Sequence, residues 1–170
     1  MTNPRDIRST AGTGGNARPT AGPQQTRIFV GLKMAPEIAG ALSTEEWISA
    51  LMARLGWQDQ EKVYLALLAV LHALRDSLPR DEAGYLGVQL PVLLRGLYFE
   101  GWHPASHTPR AKTRSAFLER IQEGVHRDPG IDAEQVAHAV FSLLANRLPV
   151  GEIDDAKAAT PQALRMFWPS

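Results

Sequence analysis

The chain has no cysteine. That excludes a disulfide framework, a thiolate zinc site and a thiol nucleophile. It has no excess of charge either: 18 Lys and Arg balance 18 Asp and Glu over 170 residues. A dedicated nucleic-acid binder is usually basic, so the balance speaks against one. No apolar run approaches the roughly 20 residues of a membrane-spanning helix. No stretch alternates apolar and polar residues with β-branched enrichment, so almost no sheet is expected. A Gly-x-Ser-x-Gly elbow, a P-loop and a strand-borne Gly-x-Gly-x-x-Gly are all missing. What is left, 44% hydrophobic and 21% charged, reads as a soluble, cytoplasmic globular protein.

The first 33 residues lack the means to fold alone. Ser9 to Asn16 is small and polar, and Pro19, Gly22 and Pro23 follow. Such a segment cannot bury enough apolar area to offset its backbone entropy. It reads as a disordered solvating extension, or Met34 is the true start. The competing reading docks the apolar patch Ile28-Phe29-Val30-Gly31-Leu32 onto a partner. Residues 1–42 carry five basic and two acidic side chains, so this end is +3 and the rest is −3.

What is present is self-similarity, at a period of 70 residues. Residues 44–98 and 114–168 align without a gap. Leu74 falls on Leu144, Leu78-Pro79 on Leu148-Pro149, Glu82 on Glu152, Pro91 on Pro161, and Leu94-Arg95 on Leu164-Arg165. Trp47 matches Phe117, Leu71 matches Phe141, and Tyr98 matches Trp168 in class. Each unit parses into four helices. Trp47, Ile48, Leu51, Met52 and Leu55 recur at helical spacing, as do Phe117, Leu118, Ile121 and Val125. Ser43 with Glu46 is a capping box for the first helix, and Gly56 ends it. The second helix starts near Asp59, its copy at Asp132, and its apolar arc is wide enough for a buried central helix. The X-Pro steps at Pro79, Pro91, Pro149 and Pro161 break the chain into shorter helices. The expectation is all-α: about eight helices from two tandem four-helix units sharing one core over residues 43–170. A unit of about 55 residues alone is marginal, which favours the shared core.

The connector is unusual. Tyr98-Phe99-Glu100-Gly101-Trp102-His103-Pro104 sets three large aromatics around a glycine. Together with Gln89-Leu90-Pro91 and Leu94-Arg95 before it, and Leu148-Pro149, Gly151-Glu152-Ile153 and Leu164-Arg165 in the second half, it resembles the DUF2267 family over roughly residues 44 to 168. The chain departs from that pattern in its long N-terminal tail and at Thr160-Pro161, where the family tends to have Leu-Pro. The resemblance implies an all-α, cytoplasmic bacterial protein. It implies no activity, no cofactor and no catalytic residues.

Several residue groups invite a chemical reading. Glu100, His103 and His107 offer three metal ligands without cysteine. Gly101, Pro104 and Pro109 place them in a loop, where Trp102 as an anchor with solvated histidines is the simpler reading. His138 reads as a surface or hydrogen-bonded residue, and His72 and His126 stand alone without a role. Glu82 and Glu152, with Arg95 and Arg165, read as structural ties between the third and fourth helices rather than as two acid–base sites. Arg110, Lys112 and Arg114 make a small basic patch, able to give only salt-sensitive phosphate contacts.

The leading functional expectation is a non-enzymatic helical interaction or scaffold module. It binds a protein partner or a second copy through Trp102, Phe99 and Tyr98, since aromatics dominate binding hot spots. The alternatives are a small metal-binding protein or metalloenzyme using the Glu100/His103/His107 loop, and a weak nucleic-acid binder.

Overall fold

Proline sets the pattern of this fold. The computed structural model describes residues 36–109 and 111–170, with side chains from residue 43 onward. The expectations placed on residues 1–33 and on Arg110 lie outside the described residues. The elements are α1 (Pro36–Leu55), α2 (Gln60–Ser77), α3 (Arg80–Val88), α4 (Val92–Phe99), α5 (Arg114–Gly124), α6 (Ala133–Arg147) and α7 (Val150–Ala159). Two 3-10 helices, Pro104–Ser106 and Gln162–Phe167, complete the chain. The described residues are thus all helical, as expected. Pro79, Pro91, Pro149 and Pro161 are the N-caps of α3, α4, α7 and the last 3-10 helix. Each has the proline φ, between −50° and −57°, which is pre-set for helix entry.

Helices α2 and α6 begin at side-chain caps. Asp59 accepts from the Lys62 amide at 3.1 Å, and Asp132 accepts from the amides of Glu134 at 3.0 Å and Gln135 at 3.3 Å. Such a cap contributes about 1 kcal/mol. The first helix departs from expectation. It begins at Pro36, so Ser43 lies inside α1 and does not start it. Helical backbone had continued upstream through residues too weakly periodic to signal it. The last element also differs: Leu164 and Phe167 ride a 3-10 helix of six residues. That length, with Pro161 before it and Pro169 close behind, leaves little room for α-helical i to i+4 bonding.

The core is centred on α2. Val63, Leu67, Val70, Leu71 and Leu74 are fully buried along it. Around it, α2 packs on α1, α4, α5 and α6, while α1 packs on α4 and α6, and α3 packs on α7. In the second half the rings of Phe117, Phe141, Phe167 and Trp168 stack against one another at centroid distances of 4.6 to 5.9 Å. Burying such rings is the largest favourable contribution a side chain can make here.

The two helix ends that follow this packing are alike. Gly56 adopts φ +67° after α1, and the Trp57 amide donates back to Met52 O at 3.2 Å. This closes the helix in a Schellman turn. After α5, His126 stands in the same place with φ +55°, and the Arg127 amide donates to Gln122 O at 2.7 Å. A left-handed conformation costs an L-residue about 1–2 kcal/mol, and glycine avoids most of it. His126 is exposed, so its side chain offsets little of that. The His126→Gly variant is expected to gain about 0.5–1 kcal/mol in stability by denaturant unfolding. An unchanged or lower midpoint would show that the His126 side chain supports this turn.

Candidate functional site

The C-terminal end of α2 is where charge enters the core. Arg75, Asp76 and Ser77 are buried in line with the apolar face. Buried polar groups must be paired, and these are. Ser77 Oγ donates to Ala73 O at 2.7 Å, one turn back. Arg75 Nε donates to Asp76 Oδ1 at 2.8 Å, and Arg120 of α5 donates from Nη2 to Asp76 Oδ2 at 2.5 Å. One carboxylate therefore joins two guanidiniums from two helices. Side-chain exposure is 9% for Arg75, 12% for Asp76 and 30% for Arg120. At that burial the pairs escape most of the solvent screening that weakens surface ion pairs.

The same helix holds the start of the connector. Arg75 Nη1 donates to Tyr98 O at 2.5 Å and to Glu100 O at 3.2 Å, and His72 Nε2 donates to Leu97 O at 2.8 Å. These carbonyls lie at the C-terminal end of α4, where intrahelical donors run out, and Leu97 O accepts from the Glu100 amide as well, at 3.3 Å. A cation placed there also complements the helix dipole. The connector reciprocates. Trp102 Nε1 donates to His107 Nδ1 at 2.8 Å, and His107 Nε2 lies 2.8 Å from Leu78 O, the C-cap carbonyl of α2. An indole N–H only donates and a carbonyl only accepts, so His107 carries its proton on Nε2.

This geometry bears on the metal expectation. Both ring nitrogens of His107 are engaged, and His103 and Glu100 lie exposed at separate points of the loop. Among the described residues no group of three or more His, Asp or Glu is placed to hold an ion. Glu100 enters the site through its backbone carbonyl, not its carboxylate.

The aromatic connector also faces inward. Tyr98, expected as a partner anchor, is 0% exposed, and its hydroxyl donates to Ala83 O at 2.7 Å. It is a core residue, and burial holds its phenol well above the usual tyrosine range. Phe99 and Trp102 are half-buried, in a ring series of Tyr98–Phe99 at 5.0 Å, Phe99–Trp102 at 5.4 Å and Trp102–His107 at 5.6 Å. Gly87 of α3 makes room for this series. A Cβ there would lie 2.3 Å from the Phe99 ring and 2.6 Å from the Tyr98 ring.

The remaining candidates are spread over the fold. Arg114 forms an exposed ion pair with Glu134, which partly offsets its charge in the basic patch, and Lys112 is exposed. His138 is exposed, with its ring 5.0 Å from Phe167. Arg95 and Arg165 do not pair with Glu82 and Glu152. Arg95 Nη2 donates to Leu90 O at 3.3 Å, and Arg165 Nε donates to Thr160 O at 3.1 Å. The arginines therefore tie down the backbone at the Leu90-Pro91 and Thr160-Pro161 steps. Glu82 instead lies within reach of the like charges of Asp155 and Glu152 across the α3–α7 contact.

Sequence reasoning missed His72, Arg75, Asp76 and Arg120. The signal for two of them was on the page. Arg75-Asp76 continues an apolar face whose counterpart is Ala145-Asn146. Charge at such a position in only one copy of a pattern marks something specific to that copy.

These observations define an all-helical domain with one buried arginine–aspartate–arginine junction and an internally docked aromatic connector. The family model of an uncharacterized conserved protein, DUF2267, matches residues 44–167, and the chain belongs to that family. No curated protein matches the chain. Among the described residues no helix is long and apolar enough to cross a membrane.

The α3–α7 contact yields a pH dependence. Burial first, then the like charges of Asp155 and Glu152, hold the Glu82 carboxyl above its ordinary 4.5. The folded chain thus binds this proton more tightly than the unfolded chain. The stability so gained is full below 4.5 and is lost as pH rises through the raised value. Glu82→Gln is therefore expected to raise the melting temperature at neutral pH, with the advantage shrinking as pH falls toward 4.5. An advantage independent of pH would contradict this electrostatic account.

Proposed function

We propose that this domain is a non-enzymatic helical interaction module that pairs with a second copy of itself. The observation that carries the reading is an exposed apolar face on α3 and α4. Tyr85 is 61% exposed, Val88 and Val92 49% each, and Leu93 48%. Isolated apolar residues at a surface are ordinary, whereas four exposed within nine consecutive positions across the α3–α4 step are a concentration that favours a partner. A two-fold interface uses one patch on both subunits, and an apolar patch is its own complement. Phe99 and Trp102 support this face from the side and contribute as buttresses, not as anchors.

The domain reads further as two copies of one four-helix unit, residues 44–98 and 114–168, sharing a core. Several paired features support that reading. Shifting by 70 turns the α1–α6 contact into the α5–α2 contact, and α3 meets its own counterpart α7. Gly56 and His126 share a positive φ, and the Trp57 to Met52 bond recurs as Arg127 to Gln122. Arg95 to Leu90 recurs as Arg165 to Thr160. Glu82 and Glu152 interact, as equivalent residues beside a two-fold axis would.

Leu93→Asp tests the function. The position is exposed, so the change should alter stability by less than about 0.5 kcal/mol. Sedimentation of the full chain over a micromolar concentration series should show self-association in the parent and a monomer in the variant. A parent that stays monomeric throughout contradicts the reading, as does a variant that associates equally well.

A further inference from the structure

The junction holds more cation than its own carboxylate can satisfy. Two guanidiniums share Asp76, whose two oxygens are each taken by one of them. Arg120 Nε is buried without a hydrogen-bond partner among the described residues. Arg75 commits Nε and Nη1 and leaves Nη2. Both arginines line a recess of about 220 Å³ between α2, α5 and the connector. Its rim carries His103 and Ser106, its wall is Trp102, and Asp76 is its one acid. A second recess of about 450 Å³ also borders both arginines, but it is lined by Leu65, Leu68 and the Glu123 carboxylate, which would repel an anion.

We infer that the smaller recess is a binding site for a small oxyanion, the chemistry shared by inorganic phosphate and a carboxylate group. Arginine presents a planar fork of N–H donors that matches either group in two-point contact. The excess of one positive charge, partly withdrawn from water, supplies the attraction. Size selects the class. Sites for drug-sized ligands and cofactors occupy roughly 300–1,000 Å³, so this recess takes a small ion or a single head group. The docked Trp102–His107 pair holds the wall in place, and His103 adds a donor at the mouth, where the Ser106 hydroxyl donates to His103 O at 3.4 Å. The site is independent of the α3–α4 face, so either reading can fail alone.

The test is a ¹H–¹⁵N titration of the full chain with inorganic phosphate, and separately with acetate, at constant ionic strength. The expected result is a saturable shift of the Arg120 Nε–H and Trp102 indole N–H signals, together with the amides of residues 101–108. Saturation by phosphate alone assigns a tetrahedral, doubly charged ligand, and saturation by acetate alone assigns a carboxylate. Arg120→Met should abolish saturation, and Arg120→Lys, which keeps the charge but loses the fork, should weaken it about tenfold. Shifts that stay linear to roughly 20 mM, well past a millimolar Kd, overturn the inference. Saturation mapped to another surface overturns it as well. The unmodified chain alone decides, so the inference stands or falls even where a variant does not fold.

Discussion

A single carboxylate, that of Asp76, sits where three parts of this fold meet. It is bound on one oxygen by Arg75 of the central helix and on the other by Arg120 of α5. Arg75 in turn holds the backbone at Tyr98 and Glu100, where α4 gives way to the connector. Burying three charges is expensive, and hydrophobic replacements of such groups are often as stable. What the arrangement provides is direction. A guanidinium fork has one good geometry per carboxylate, whereas apolar surfaces slide. Leucine against leucine would leave the connector several comparable positions. Arg75 leaves it one.

The aromatic connector follows from that constraint. Once Tyr98 and Glu100 are fixed, Tyr98 drops into the core and Phe99 leans on α3 at Gly87. Trp102 then reaches His107, and His107 returns to the end of α2 at Leu78. The loop closes on the same helix from which it is held. An exposed linker would have left these rings to a partner, but a loop bonded at both ends folds them into its own wall. The connector thereby lines a polar recess, and the proposed contact face moves to the exposed apolar residues of α3 and α4.

Much of the fold was legible because apolar spacing and proline carry it. Leu74, Leu78 and Pro79 with their counterparts set the helix breaks, and the buried arc of α2 followed from its width. The start of α1 was illegible because Ser43 and Glu46 satisfy a capping pattern that the upstream helix overrides. The last helix read as α because Leu164 and Phe167 fit that spacing, while the prolines at both ends impose 3-10. The site was less legible for a different reason. Glu100, His103 and His107 look like ligands in sequence, whereas in the structure both ring nitrogens of His107 are hydrogen-bonded, to Trp102 and Leu78. Arg75, Asp76 and Arg120 are 44 or more residues apart across α2 and α5, apart from the adjacent pair, and no spacing rule joins such positions. Glu82 and Arg95 recur together in both halves, which suggests pairing. The backbone carbonyls of Leu90 and Thr160, each just before a proline, claim the arginines instead.

The central claim is that the Asp76–Arg120 contact is a strong, specific tie between α2 and α5. A double-mutant cycle on Asp76→Ala and Arg120→Ala, followed by denaturant unfolding, measures it directly. Members of one buried network couple by about 0.5–3 kcal/mol, and exposed ion pairs by about 0.2–1 kcal/mol. The account predicts a coupling above about 1.5 kcal/mol that persists when salt is raised. A coupling under about 0.5 kcal/mol, or one that salt removes, would place this pair among ordinary surface contacts and contradict it.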